Sequence, residues 1–341
     1  MKSVVIQEPG QVAVFDRLPV PEPKENEALL QILYCGICGA DLASYLGNQP
    51  FTTYPRIPGH EFSARIVSIP QNAGGLKEGD LVTCNPYFNC GDCYACRRGY
   101  VNCCVDNQTM GVQRDGAFQE YVVMPVSRIL RGDGLNARQL ALVEPFCIGH
   151  HGISRCKLKN TDKVLVVGAG PIGIFAMLSA KAKGAEVYMA DVLDGRLETA
   201  LQMGASGVVN SGKQDLGSWT RKITDGNGFD VCVEACGLPQ TFLSCIDQAA
   251  QAANIVLIGN GKRETKFLHS IILKKELNIF GSRNALTSDF EQVIEILRSG
   301  EVDVEKLVSC EYPIDQAAEA FDALAHNDGS IMKVLLKIIQ E

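Results

Sequence analysis

One segment limits the folds open to this chain more than any other. From Lys163 a run of Val-Leu-Val-Val ends in Gly168-Ala-Gly170-Pro171-Ile172-Gly173, and the helix-like stretch Ile174–Lys183 follows. A short apolar strand that turns through G-x-G-x-x-G into a helix is the pattern of a βαβ nucleotide-binding unit. Gly168 allows the tight turn, Gly170 lets backbone approach a pyrophosphate, and Gly173 lets helix and strand pack closely. Pro171 and Ile172 complete the turn, and the free N–H groups and dipole of the helix start attract phosphate. A turn of this kind is also compatible with a tight bend that binds nothing. Here, however, Asp191 stands 23 residues after Gly168, at the end of the next strand candidate. That is where a ribose diol is gripped, and a carboxylate there repels a 2′-phosphate. The expected cofactor is therefore NAD rather than NADP, with Arg196 as a further contact.

The surrounding pattern extends this unit in one direction. Val164–Val167, Glu186–Ala190, Val208–Asn210, Asp230–Glu234, Ile255–Ile258 and Leu277–Phe280 are short strand candidates, and helix-length segments separate most of them. Such alternation predicts a parallel sheet. Before residue 160 the texture differs: Val12–Phe15, Ala28–Leu33 and Ala64–Ile69 lie between Pro and Gly turns, which predicts a small β-barrel. Near the end, Phe290, Val293, Ile294 and Leu297 keep a helical spacing, and Gly300 stands where a cap belongs. At roughly 150 residues per domain, 341 residues predict two.

Charge and cysteine content narrow the function. The formal net charge is −7, which leaves no basic footprint for nucleic acid or anionic membrane. The longest uncharged apolar run, Val164–Ala180, is interrupted by four Gly or Pro residues and falls short of the ~20 residues of a membrane span. The N-terminus lacks the apolar core of a signal peptide, so the expected location is the cytoplasm. Fourteen cysteines in such a chain stay reduced, and clustering among them points to metal. Cys90, Cys93 and Cys96 are followed by Cys103 and Cys104, so three close thiols and one from further on can enclose a tetrahedral ion. Either Cys103 or Cys104 fits as the fourth ligand. A closed S4 site has no position for substrate, so its role is structural. Iron–sulfur ligation and a thiol-redox use of Cys93 and Cys96 are the other readings of this spacing. Cys38, His60-Glu61 and Glu144 form a second set: thiolate, imidazole and carboxylate suit zinc with an open position. They lie far apart in sequence, and His60 as a core histidine or Glu144 as a helix-end carboxylate fits the spacing equally well.

Taken together, these residues resemble the zinc-dependent medium-chain alcohol dehydrogenases, over nearly the whole chain. The matching marks are Gly36-Ile37-Cys38-Gly39, Gly59-His60-Glu61, the lobe from Cys90 to Cys104, Gly111 with Asp115-Gly116-Ala117-Phe118, Glu144-Pro145, and the turn Gly168–Gly173. The resemblance implies an α/β chain in two domains. A GroES-like β-barrel catalytic domain would span 1–150 and 285–341, with a structural zinc lobe at 88–105, and a Rossmann NAD-binding domain would span 151–284. It implies two zinc ions per subunit. Cys38, His60, Glu61 and Glu144 would serve the catalytic one, which also suits Mn²⁺ or Co²⁺. Cys90, Cys93, Cys96 and Cys104 would hold the structural one, with Cys103 at the non-ligand position. A homo-oligomer, dimer or tetramer, is expected. The family usually has Ser or Thr two residues after the ligand cysteine and His three residues beyond, and these relay the substrate proton. Here those positions are Ala40 and Ala43. The missing relay leaves a non-catalytic zinc- and NAD-binding protein as another reading.

The resemblance is narrower still to bacterial dehydrogenases that oxidise C5 of L-gulonate or L-galactonate. It rests on Tyr54 to Glu61, Glu144-Pro145-Phe146 and Gly281-Ser282-Arg283-Asn284. It implies NAD-linked oxidation of a secondary hydroxyl of a hexonate, with a neutral polyol such as sorbitol, or L-threonine, as the alternative. Arg283 and Asn284 follow the last strand candidate, where a guanidinium can grip a carboxylate in bidentate fashion. A surface ion pair or a cofactor contact is the other use of Arg283. Tyr45, Asn48, Gln49 and Arg114 are further candidates for hydroxyl contacts.

Overall fold

Six of the apolar runs join into one sheet in the computed structural model, which describes residues 1–16, 18–71 and 73–339. Its strands are Lys163–Val167, Glu186–Asp191, Gly207–Asn210, Phe229–Glu234, Ala249–Leu257 and Asn278–Gly281, and every pairing is parallel. Their order in space is third, second, first, fourth, fifth, sixth. That is the order of a Rossmann dinucleotide-binding sheet, whose ligands sit where the order reverses, at the carboxyl ends of the strands. Helices cover a parallel sheet on both faces, so its strands tolerate unbroken apolar runs. Val164, Leu165 and Val166 are accordingly all fully buried. The strand Ala249–Leu257 begins six residues before the apolar run Ile255–Ile258 that announces it. Its start pairs Ala249 with Phe229, after which the register jumps to Asn254 opposite Val231. Ala252, at φ 57°, lies in the jump, so the early residues form an irregular extension that side-chain alternation does not signal.

The chain divides into two compact units, residues 1–144 with 286–341, and residues 145–285. The second contains the parallel sheet. Its core packs Leu165, Val167, Ala190, Phe229, Cys232 and Ile255, with Trp219 stacked on Phe229 at 6.2 Å between ring centres.

The first unit is a seven-stranded sheet. Along it run Val308–Pro313, Lys333–Lys337, Glu27–Ile37, Glu61–Ser68, Leu81–Cys84 and Ile129–Arg131, and Tyr121–Pro125 also pairs with Glu27–Ile37. The tail strand Lys333–Lys337 lies antiparallel to Glu27–Ile37, with Leu335 opposite Gly36. Glu61–Ser68 flanks the other side, with Glu61 opposite that same Gly36. This register brings residues from three distant parts of the chain to one point. Phe62, Phe118, Met124, Phe321 and Leu336 fill the core beneath. The helix Thr287–Arg298 buries Phe290, Val293, Ile294 and Leu297, and Gly300 follows it at φ 72°, the left-handed conformation in which helices commonly end.

Candidate metal centre and nucleotide-binding turn

Cys38 follows the long strand Glu27–Ile37 and caps the helix Gly39–Tyr45. Its Sγ accepts the Ala40 N–H at 3.1 Å and lies 3.1 Å from His60 Nε2. Asp41, fully buried, ties the two segments together: one carboxylate oxygen accepts the Cys38 N–H and the other the Gly59 N–H, each at 3.0 Å. His60 Nδ1 stands 3.9 Å from Asp41 Oδ1. The ligand atoms of Cys38, Asp41 and His60 lie within 4.8 Å of one another, and so do those of His60, Glu61 and Glu144. The four residues expected around a catalytic metal are thus gathered on His60.

The two glutamates are held differently. Glu61 forms a buried ion pair with Lys333, which also donates to the Ile37 carbonyl at 3.3 Å. Glu144 accepts instead from the phenol of Tyr87, itself buried. A Cβ at position 36 would stand 2.3 Å from Glu61 Oε2 and 3.0 Å from Lys333 Cε, so only glycine leaves room for the ion pair. Burial, with the charges of Asp41 and Glu61, pushes the Cys38 thiol well above its usual range. Burial, added to by Glu61, pushes Glu144 up to about 7. For His60 burial acts downward, but the charges of Asp41, Glu144 and Glu61 hold it above its ordinary value. One thiol and three carboxyl groups therefore share a buried region with one lysine and one imidazole. Buried anions in excess of cations are costly, and a divalent ion offsets that cost. Soft sulfur, imidazole and carboxylate together suit zinc.

The second cysteine set also comes together. The ligand atoms of Cys90, Cys93, Cys96 and Cys104 lie within 4.8 Å, whereas Cys103 is exposed and outside the group. Cys104 Sγ is 3.5 Å from Cys90 Sγ and accepts the Cys90 N–H at 3.3 Å. N–H groups of Cys96 and Val105 lower Cys93 to about 6, while burial pushes Cys104 up to about 11. Four thiols this close together are a donor set of the kind that holds a structural zinc.

In the second unit Gly168 adopts φ 108° at the end of its strand, and Gly170 caps the helix Pro171–Ala182, with Pro171 in its first turn. A Cβ on Gly173 would lie 1.8 Å from the Gly168 carbonyl oxygen, so this contact permits no side chain. At Gly170 a Cβ would meet only Arg196, at 3.9 Å, which leaves the helix start open to phosphate. Asp191 ends the neighbouring strand and accepts N–H groups from Ala169 and Val192 at 2.7 Å and from Leu193 at 3.0 Å. These three bonds fix its carboxylate and leave one of its roughly four acceptor sites, on Oδ2, for a ribose hydroxyl.

Comparison with known proteins gives the lineage. Residues 24–133 match the alcohol dehydrogenase GroES-like domain, and residues 171–299 match the zinc-binding dehydrogenase domain. L-galactonate-5-dehydrogenase of Escherichia coli K12 is 34% identical over 98% of both chains. The chain belongs to the zinc-type medium-chain alcohol dehydrogenases. Sorbitol dehydrogenase of Bacillus subtilis is a further relative of this dehydrogenase, 32% identical over 98% of this chain and 97% of its own. The crystal structure of the rspB alcohol dehydrogenase of E. coli CFT073, complexed with NADH, covers 99% of each chain at 31% identity and a TM-score of 0.92. The dehydrogenase is an oxidoreductase with a GroES-like and a Rossmann part, and no described helix is long and apolar enough to cross a membrane.

The residues considered for substrate contact belong to both units. Tyr45 packs on Phe321 at 5.4 Å, against the core of the first unit. Arg114 lies over the Phe88 ring at 3.7 Å and lines a pocket with Met1, Met110 and Tyr121, which includes none of the four residues gathered on His60. Asn48 is exposed and Gln49 half-buried beyond the helix Gly39–Tyr45. Exposed Arg283 and half-buried Asn284 follow the strand Asn278–Gly281 in the second unit. Three residues of this candidate centre escaped sequence reasoning, Asp41, Lys333 and Tyr87, and Gly36 entered it only as part of a matching motif. Only Asp41 carries a local signal, since an acid three residues after a capping residue completes a capping box.

Proposed function

We propose that this dehydrogenase oxidises a secondary hydroxyl of a sugar acid, with zinc held by Cys38, His60, Glu61 and Glu144 and with NAD as hydride acceptor. The observation that carries the reading is the buried cluster of thiol, imidazole and carboxylates around His60. When bound, zinc acidifies a hydroxyl and NAD accepts the hydride. The protein's own residues do the rest. Cys38 and Glu144 supply negative charge, Glu61 shares its charge with Lys333, and Asp41 holds the loops of Cys38 and His60 in place. Ala40 and Ala43 carry no group that moves a proton, so the route left runs through water beside Glu61 or Glu144. Cys90, Cys93, Cys96 and Cys104 would hold a second, structural zinc.

Asp191 supports NAD as the cofactor. Asp191→Ala should raise KM for NAD by roughly ten- to a hundredfold, as expected for losing a charge-assisted hydrogen bond. Wild-type protein with equal kcat/KM for NAD and NADP would refute this part of the reading.

The substrate assignment is supported by the similarity to L-galactonate-5-dehydrogenase, with oxidation at C5 of a hexonate such as L-galactonate or L-gulonate. A neutral polyol or L-threonine is the alternative. Arg283 is the residue proposed to hold the hexonate carboxylate. Arg283→Ala should cut kcat/KM for the acid by roughly ten- to a hundredfold and leave turnover of sorbitol nearly unchanged. Faster wild-type turnover of sorbitol or threonine than of any hexonate would overturn the sugar-acid assignment alone. All fourteen cysteines are free thiols, which supports a reducing compartment such as the cytoplasm. A homo-oligomer is also proposed. Asn278–Gly281 is the terminal strand of its sheet, and Ile279 on it is 38% exposed, as suits an edge that pairs with a second copy.

A further inference from the structure

The two carboxylates beside His60 differ in what already holds them. Glu61 faces a cation, Lys333, and spends charge on that pair. Glu144 faces a neutral donor, the O–H of Tyr87, which takes Oε1 and leaves its other oxygen. Tyr87 is itself firmly placed. Its N–H donates to Asn85 Oδ1 at 3.0 Å, its carbonyl accepts from the Arg128 guanidinium, and its two-residue strand pairs with Gln108–Thr109. Asn85 is anchored in turn by its N–H on the Arg128 carbonyl at 2.9 Å and by Thr287 Oγ1 at 3.2 Å from its amide. Tyr87 is 6% and Glu144 3% exposed, so bulk water does not readily replace the phenol.

We propose that Tyr87 is a positioning residue of the metal centre: its hydroxyl fixes the Glu144 carboxylate with one oxygen engaged, and so sets how Glu144 presents its other oxygen to the ion. A hydrogen bond behind a metal ligand sets the ligand's rotation and its affinity for the metal, and losing one commonly costs ten- to a hundredfold in metal affinity. The inference rests on the zinc-dehydrogenase reading and adds a residue to it.

Tyr87→Phe keeps the ring and removes only the donor. The purified zinc-loaded variant is compared with wild type by titration with a chelator, following zinc retained per chain, with melting temperature and steady-state kinetics alongside. Tyr87→Phe should lose one of its two zinc ions at a roughly ten- to hundredfold lower chelator concentration. The second ion should stay, KM for NAD should not change, and kcat should fall. In a Glu144→Gln background the same substitution should have no further effect on zinc retention, because the hydroxyl acts through that carboxylate. Equal retention by Tyr87→Phe and wild type would overturn the proposal, as would an undiminished effect of the substitution in the Glu144→Gln background. A Tyr87→Phe chain that fails to fold would overturn it too, by placing the hydroxyl among the groups that hold the barrel. The underlying reading fails separately: wild type that binds no zinc beyond the cysteine lobe, or that forms no NADH with any alcohol, removes both.

Discussion

Cys38→Ser is expected to give a folded protein with one zinc instead of two and a kcat lower by at least about a thousandfold. Serine is a good helix cap, so the helix Gly39–Tyr45 keeps its start and the barrel its packing. A hydroxyl, however, does not ionise as a thiol does, and the centre loses its sulfur anion. Metal polarisation contributes several kcal/mol to such a reaction, and each ~1.4 kcal/mol is a factor of ten in rate, which gives roughly three orders of magnitude. Zinc analysis, circular dichroism and steady-state rates on one preparation check the three parts together. A variant with two zinc ions and an undiminished rate would remove Cys38 from the centre.

The cysteine lobe yields the second large effect, on stability rather than rate. Cys104→Ser should abolish one zinc site and lower the melting temperature substantially, because a structural metal contributes directly to folding. Loss of such a metal is among the few single changes that cost about 4 kcal/mol or more. At roughly 2–4 °C per kcal/mol for a unit of this size, the fall is about 8–16 °C. Cys103→Ser, one residue earlier and exposed, should change stability by no more than about 0.5 kcal/mol. Thermal melts of the two variants side by side separate them. Equal losses would mean that position 104 has no special part in the lobe.

How much of this was legible in the sequence follows from how local each signal is. The Gly168–Gly173 turn and the run of alternating strands are written in adjacent residues, so the Rossmann sheet could be read directly. The cysteine lobe is nearly as local; spacing alone left Cys103 and Cys104 equivalent, and the 3₁₀ turn Val101–Cys103 turns one thiol outward and the other inward. The metal centre lies at the opposite extreme. Lys333 reaches Glu61 only because the tail strand pairs beside Gly36, across a separation that no window of sequence spans. Tyr87 sits in a two-residue strand whose alternation is too short to register, and its role depends on Glu144, far along the chain. Residue type alone places neither. Tyr45 shows how residue type and packing differ as signals: an aromatic with a hydroxyl reads as a sugar contact, and only the fold shows that its ring packs on Phe321.

The central claim is that this chain transfers hydride from a sugar-acid hydroxyl to NAD at the metal centre built on His60. It is tested most directly by following NADH absorbance as the purified protein is mixed with NAD and L-galactonate or L-gulonate, before and after chelator treatment, and again after zinc is restored. The account predicts NADH formation that disappears when the more labile zinc is removed and returns with zinc, while the cysteine lobe keeps its ion and the protein stays folded. Absence of NADH with either hexonate, or a rate that survives loss of that zinc, would contradict it.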